Sequence, residues 1–346
     1  MRIKSTALSV ALASAIALSL PALAQTVDGP TVEWNISTWG NKRAFTAGME
    51  KTAELVAERT GGKFTMKIHY GEALSKSREN LDGLSIGAFQ GASVCGFYHP
   101  GKNPAWSVLT LPFLPFSDWN VSRTVRDNMM KHPALVADMD RWNAISYMSG
   151  LIPPNEAMGR GKPPATLSDW KGMRVRAGGG LGDAMEILGA VPTTVPAPDV
   201  YTSLERGTIE AAVFPFTYAF SAYKLPEIST WYTSNMSLGV TECWIVFGKT
   251  AYGNLPQQYK DLLEDIKDAA YEAQIAAYVD IDKKNVPVFR EKLQELVYTD
   301  EQLAELRRVA GQPVWDKWVA ENQDKFDARG LLDALLAEIE KAQKGT

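Results

Sequence analysis

The sequence predicts a two-lobed α/β fold, and three observations carry that expectation. Two separate β-α-β rhythms are divided by a proline-punctuated connection near residues 150–165. The chain left after an N-terminal leader is too long for one typical core. A helical pattern from Gln257 to Asp282 is about 38 Å long at ~1.5 Å per residue, enough to lie across two lobes.

The leader comes first. Arg2 and Lys4 precede an uncharged, mostly apolar run from Ala7 to Leu20, and Pro21-Ala22-Leu23-Ala24 ends in a small-x-small pattern. This is a signal peptide over residues 1–24, with cleavage expected before Gln25 and export to the periplasm. The apolar run is shorter than the ~20 residues that span a bilayer. The whole chain has 36 basic and 40 acidic residues, and two of the basic ones sit in the leader, so the mature net charge is −6. That balance argues against nucleic acid or an anionic membrane surface as partner.

Val32 to Ser37 alternates like an opening strand, and Phe45, Met49, Ala53 and Val56 follow at helical spacing. Gly61-Gly62 stops that helix, and Phe64 to His69 reads as a second strand. Arg78 to Ile86 reads as helix and Ala92 to Cys95 as a short apolar strand. Beyond the proline-rich connection, Met173 to Ala177 begins a second unit, with a helix over Asp183–Leu188 and a strand near Pro192–Val195. A further helix over Pro198–Arg206 precedes a strand at Ile209–Phe214. Glu242 to Phe247 reads as a buried strand that returns the chain to the first lobe. Pro287 is expected to interrupt the long helix or begin its successor. The helical tail from Asp300 to Lys344 is expected to break at Gly311-Gln312-Pro313 and at Gly330.

Catalytic chemistry is absent from the pattern. His69, His99 and His132 show no metal-binding spacing, and no nucleophile elbow or P-loop occurs. No cofactor, no metal and no enzymatic activity are expected. Gly178-Gly179-Gly180-Leu181-Gly182 sits between strand and helix but fails the dinucleotide spacing, and what survives is close backbone approach and an anion-favouring helix start. Cys95 and Cys243 fit no zinc motif. They are read as two buried thiols, with a disulfide closing a long loop as the alternative.

From Leu167 to Leu225 the chain resembles the extracytoplasmic solute-binding proteins of TRAP transporters. The matching stretches are Leu167 to Arg176, Leu188-Gly189-Ala190-Val191-Pro192, and Ala197 to Glu210. Weaker similarity, including Leu111-Pro112-Phe113 and Leu255-Pro256-Gln257, covers nearly all of the mature chain. The resemblance implies an α/β, two-lobed periplasmic binding protein fold, with a mixed sheet in each lobe and a long helix spanning both. Residues 25–152 and 241–265 would form lobe I. Residues 153–240 and 285–346 would form lobe II with the C-terminal helices, and 257–282 the spanning helix. It further implies a monomer that captures a small carboxylate and delivers it to integral membrane permease subunits. A sensory role, or a zwitterionic or amine solute, is the alternative.

By the resemblance, Arg176 holds the ligand carboxylate. A guanidinium presents a planar fork that matches two carboxylate oxygens. A structural ion pair is the plainer reading of the same residue, and Arg174 falls on the same face in a regular strand. Sugar-acid binders of the family carry an asparagine where this chain has Phe214, which disfavours a polyhydroxylated ligand. Trp39, Ser77, Cys95, Tyr98, Glu156 and Trp244 are the other cleft candidates, each aromatic serving equally as core packing. Glu156, in the place of a second arginine, either faces the cleft and favours a cationic group or is a solvated surface acid.

Overall fold

In a computed structural model of the chain, residues 26–99, 101–116 and 118–345 are described. The leader and its cleavage before Gln25 lie outside the described residues. Two mixed sheets form, one per lobe. The first contains β1 (Val32–Ser37), β2 (Phe64–His69), β3 (Gly91–Cys95) and β4 (Ala144–Ser149). The second contains β5 (Asn155–Gly159), β6 (Arg174–Arg176), β7 (Val191–Thr193), β8 (Ala211–Pro215) and β9 (Trp231–Thr233). The chain then re-enters the first sheet as β10 (Cys243–Gly248) and ends its strands in the second with β11 (Gln294–Leu296). The orders are β2-β1-β3-β10-β4 and β11-β9-β5-β8-β6-β7. Helices join the parallel pairs β1·β2, β1·β3 and β6·β7, as the β-α-β rhythm requires. The strands that cross between lobes pair antiparallel: β10 against β3 and β4, and β5 against β8 and β9.

Three segments connect the lobes. Residues 150–154 and 234–242 are short and irregular, whereas the third is helical. The long helix is two pieces, Gln257–Asp265 and Lys267–Lys292, turning at Ile266 where the Tyr147 hydroxyl bonds to the Leu263 carbonyl at 2.6 Å. Pro287 does not interrupt it. Its ring sits inside the second piece, and buried Asn285 and Phe289 on either side anchor the helix there. Near its start, Gln274 accepts from the Gly48 amide at 3.0 Å and donates to the Ala44 carbonyl. Midway, the Tyr278 hydroxyl donates to the Gly150 carbonyl at 2.7 Å, at the first connection. Further on, Asp282 accepts from the Thr217 amide and hydroxyl in lobe II.

The tail departs from its expected place. Asp300–Ala310 and Gln312–Asn322 pack on the lobe II helix Gly180–Ile187. The last helix, Ala328–Lys344, packs on Trp119–Met129 of lobe I, where Asn128 donates to Glu338 at 2.8 Å. Of residues 285–346, the strand Gln294–Leu296 and the first two tail helices thus lie with lobe II, and the last helix reaches lobe I. Gly330 does not break this tail either. It lies in the first turn of the last helix, its amide bonded to the Asp327 carboxylate at 2.9 Å. One apolar core runs without interruption from Leu81 and Val94 through Trp106 and Trp244 to Trp170 and Trp231, behind the cleft. A second, aromatic cluster gathers Trp39, Phe45, Tyr98, Phe214 and Phe220 at the cleft itself.

The cysteines are bonded: Cys95 at the end of β3 and Cys243 at the start of β10 form a disulfide. This corrects the expectation of two thiols. The two residues face one another in the antiparallel register, with Cα atoms 4.0 Å apart, a juxtaposition that a separation of 148 residues conceals. The glycine run is also reassigned. A side chain at Gly180 would meet the Thr110 carbonyl at 2.8 Å and the Leu111 Cα at 3.1 Å, so the run lets lobe I backbone pack against lobe II instead of holding an anion.

Candidate functional site

The carboxyl ends of β1, β3, β6 and β8 converge between the lobes, the place where open α/β sheets bind ligands. Arg176, the last residue of β6, is 2 % exposed. Its Nε donates to the Val195 carbonyl at 3.0 Å and Nη1 to the Val213 carbonyl at 2.9 Å. Nη2 reaches the Tyr98 hydroxyl at 3.5 Å. The guanidinium carbon stands 4.2 Å from the Phe214 ring centre and 5.2 Å from that of Phe97. Burial holds its pKa below the ordinary arginine value. Among the described residues no carboxylate lies within ion-pair distance of it.

The contrast with Arg126 is instructive. That side chain is equally buried, but its Nε meets Glu242 Oε2 at 2.5 Å, and Ser149 donates to the other oxygen at 2.7 Å. Arg126 is a paired charge that ties the Trp119–Met129 helix to the second connection. Arg176 is a buried cation held by neutral carbonyls, a costly arrangement unless an anion joins it. The structural ion-pair reading of Arg176 is therefore set aside. Arg174 is the ion-paired one: exposed, it bonds the carbonyls of Gly207 and Thr208 and meets Glu210 at 3.4 Å.

Trp39 stacks on Phe45 with centroids 5.4 Å apart and meets Tyr98 edge-on at 5.6 Å. Tyr98 crosses the cleft, its hydroxyl accepting from the Ala197 amide at 2.8 Å, and burial keeps that phenol protonated. With Phe214 and the Cys95–Cys243 disulfide, these residues surround Arg176. The space they line is half open to solvent and is about 30 Å³, room for roughly two water molecules. The lobes are closed on one another, and Arg78 of lobe I donates to the Thr194 carbonyl of lobe II at 2.7 Å.

Three expected residues fall elsewhere. Ser77 is buried under its own loop, its amide bonded to Glu72 at 2.7 Å. Trp244 points to the opposite side of β10 from Cys243 and packs against Trp106, centroids 4.2 Å apart. Glu156 neither lines the site nor meets solvent, so both of its expected readings are corrected. At 3 % exposure it accepts from the Thr233 hydroxyl at 2.5 Å and from the Met236 and Ser237 amides at 3.0 and 2.7 Å. Burial raises its pKa to about 7 despite these bonds. It anchors the start of the second connection.

Sequence reasoning missed Arg43, Phe45, Phe97, Tyr218 and Tyr223, which also line the site. A usable signal exists for some of them. Arg43 lies in the loop after β1, and Tyr218 and Tyr223 follow β8, so all three occupy segments beyond strand carboxyl ends.

The chain belongs to the bacterial extracellular solute-binding protein family 7 (DctP), which it matches over residues 37–322. The family comprises solute-binding receptors, not enzymes. The monocarboxylate 2-oxoacid-binding periplasmic protein of Nostoc sp. is 24% identical over 264 residues, covering 74% of this chain and 70% of that protein. Two solved TRAP solute-binding proteins share the fold. One from Rhodoferax ferrireducens T118, in complex with copurified benzoate, has a TM-score of 0.80 at 20% identity and is matched over 91% of this chain and 99% of its own. One from Desulfovibrio salexigens, with bound orotic acid, has a TM-score of 0.81 at 21% identity over 90% and 100%.

Proposed function

We propose that this chain captures a small monocarboxylate with a flat, apolar or aromatic body in the periplasm and delivers it to a TRAP-type membrane permease, acting as a monomer. The observation that carries the reading is Arg176, a buried guanidinium with no acidic partner among the described residues, set on the faces of Phe214 and Phe97. A carboxylate would supply the missing charge through short, charge-assisted bonds, and the rings would cover the body behind it. Hydroxyl-rich acids are disfavoured because buried hydroxyls against Phe214 would lose their partners. Glu156 is engaged by Thr233 and the start of the second connection, which removes the reason to favour an amine or zwitterion. The similar proteins described above, with a 2-oxoacid, benzoate and orotic acid, point to the same chemistry. Capture works by differential affinity: a ligand that touches both lobes favours the closed form over the open one. Competition calorimetry with benzoate-like acids, branched-chain 2-oxoacids, amino acids and hexuronates tests the assignment. Nanomolar hexuronate binding without response to the others would overturn it. Uptake of the acid in cells carrying the permease, lost when this chain is deleted, tests delivery.

A further inference from the structure

The aromatic wall of the site has a cation at each end. Arg176 lies on Phe214 at 4.2 Å, Phe214 stacks on Tyr223 at 5.6 Å with planes 12° apart, and Arg43 lies 5.8 Å from the Tyr223 ring. Arg43 belongs to lobe I and Tyr223 to lobe II, so this far end is assembled by closure. The Arg43 guanidinium is also 5.7 Å from the Trp39 ring and 5.0 Å from that of Phe45. Its Nη1 is committed to the carbonyls of Trp39 and Asn41 at 2.7 and 2.8 Å. Among the described residues, Nε and Nη2 make no hydrogen bond and no carboxylate lies within ion-pair distance. The Tyr223 hydroxyl is buried and has no hydrogen-bond partner among the described residues. Burial pushes its pKa up to about 12, so it stays a donor. A buried hydroxyl without a partner is costly, and here it sits beside a cation that also only donates. Two donors at one place select an acceptor.

We infer that Arg43 and Tyr223 form a second pole of the site, which takes an oxygen acceptor at the far end of the ligand. The preferred ligand is an aromatic acid carrying a hydroxyl or second carboxylate on its ring. This rests on the reading of Arg176 as the carboxylate anchor. The test is calorimetry on the mature chain with benzoate, 3- and 4-hydroxybenzoate, and the 1,3- and 1,4-benzenedicarboxylates. In the wild type, the best substituted acid should bind at least tenfold more tightly than benzoate. That ratio should fall at least fivefold in Arg43→Gln and in Tyr223→Phe, the latter removing one hydroxyl and no ring. Melting of each free variant establishes that it is folded. A wild-type ratio below two overturns the second pole, as does a ratio that stays at its wild-type value in both variants. Parallel weakening of benzoate and substituted acid also overturns it, because the pair then serves closure alone. Arg176→Gln separates the two levels: if it weakens every acid, the anchor stands whatever the ratio shows, and if it weakens none, the underlying reading fails.

Discussion

Arg176 shows how one side chain is made available by what does not surround it. Its two carbonyl partners fix the fork in place without neutralising it. Arg176→Ala should therefore weaken carboxylate binding by about 2–4 kcal/mol, since a desolvated anion would lose its paired charge. A loss of less than tenfold in calorimetry would remove Arg176 from the anchor role. Glu156 offers a second test, of stability against pH. Its pKa of about 7 lies above the usual carboxyl value of 4.5, so the folded state holds this proton longer than the unfolded chain. Between those limits stability should fall as pH rises, and above about pH 7 the whole penalty, on the order of 3 kcal/mol, should be present. Below pH 4.5 the group is protonated in both states and contributes nothing to the slope. Denaturant unfolding of the wild type and Glu156→Gln across that window checks this. Parallel profiles for the two proteins would contradict the assignment.

At the scale of elements, the informative pair is β3 and β10. Their ladder joins the chain's first lobe to its return from the second, and the Cys95–Cys243 disulfide locks the cleft end of that ladder. The bond closes a loop of 148 residues, long enough that constraint of the unfolded chain should contribute about 2–4 kcal/mol. Replacing both cysteines with alanine should lower the unfolding free energy by that amount while leaving the far-ultraviolet circular dichroism unchanged, because the ladder's hydrogen bonds remain. An unchanged midpoint in denaturant would show that the bond adds nothing to the strands it joins. A disulfide also suits an exported protein, since such bonds persist in oxidising compartments.

At the scale of the whole molecule, the connections decide how the lobes move. Residues 150–154 and 234–242 are short, and each is tied to a rigid neighbour. Tyr278 of the long helix holds Gly150, and the Arg126–Glu242 pair holds the second connection. Any lobe motion is expected to hinge about these segments, with the continuous core behind the cleft as its back. Because the space between the lobes is only about 30 Å³, entry of an organic acid is expected to need separation of the lobes. Small-angle scattering should record a smaller radius of gyration with a bound acid than without. Identical radii would mean that the site fills without hinge motion.

The division into two lobes, the opening β-α-β unit and the strand that ends at Arg176 were legible from residue patterns, because each is written in local periodicity or in one matched motif, whereas the strand Asn155–Gly159 lies within the stretch read as a connection. β1 and β2 have the bounds that alternation predicts. Four outcomes were decided only in three dimensions. Cys95 and Cys243 became partners because β10 returns antiparallel beside β3. Trp244 left the site because alternation along β10 turned it toward Trp106. Glu156 was claimed by a loop roughly 80 residues further along the chain. Arg43 and Tyr223 met because closure brought opposite lobes together. Periodicity reports which face of an element is apolar, whereas the neighbour across that face depends on long-range register. Register is set by packing of the whole chain, and no window of sequence contains it.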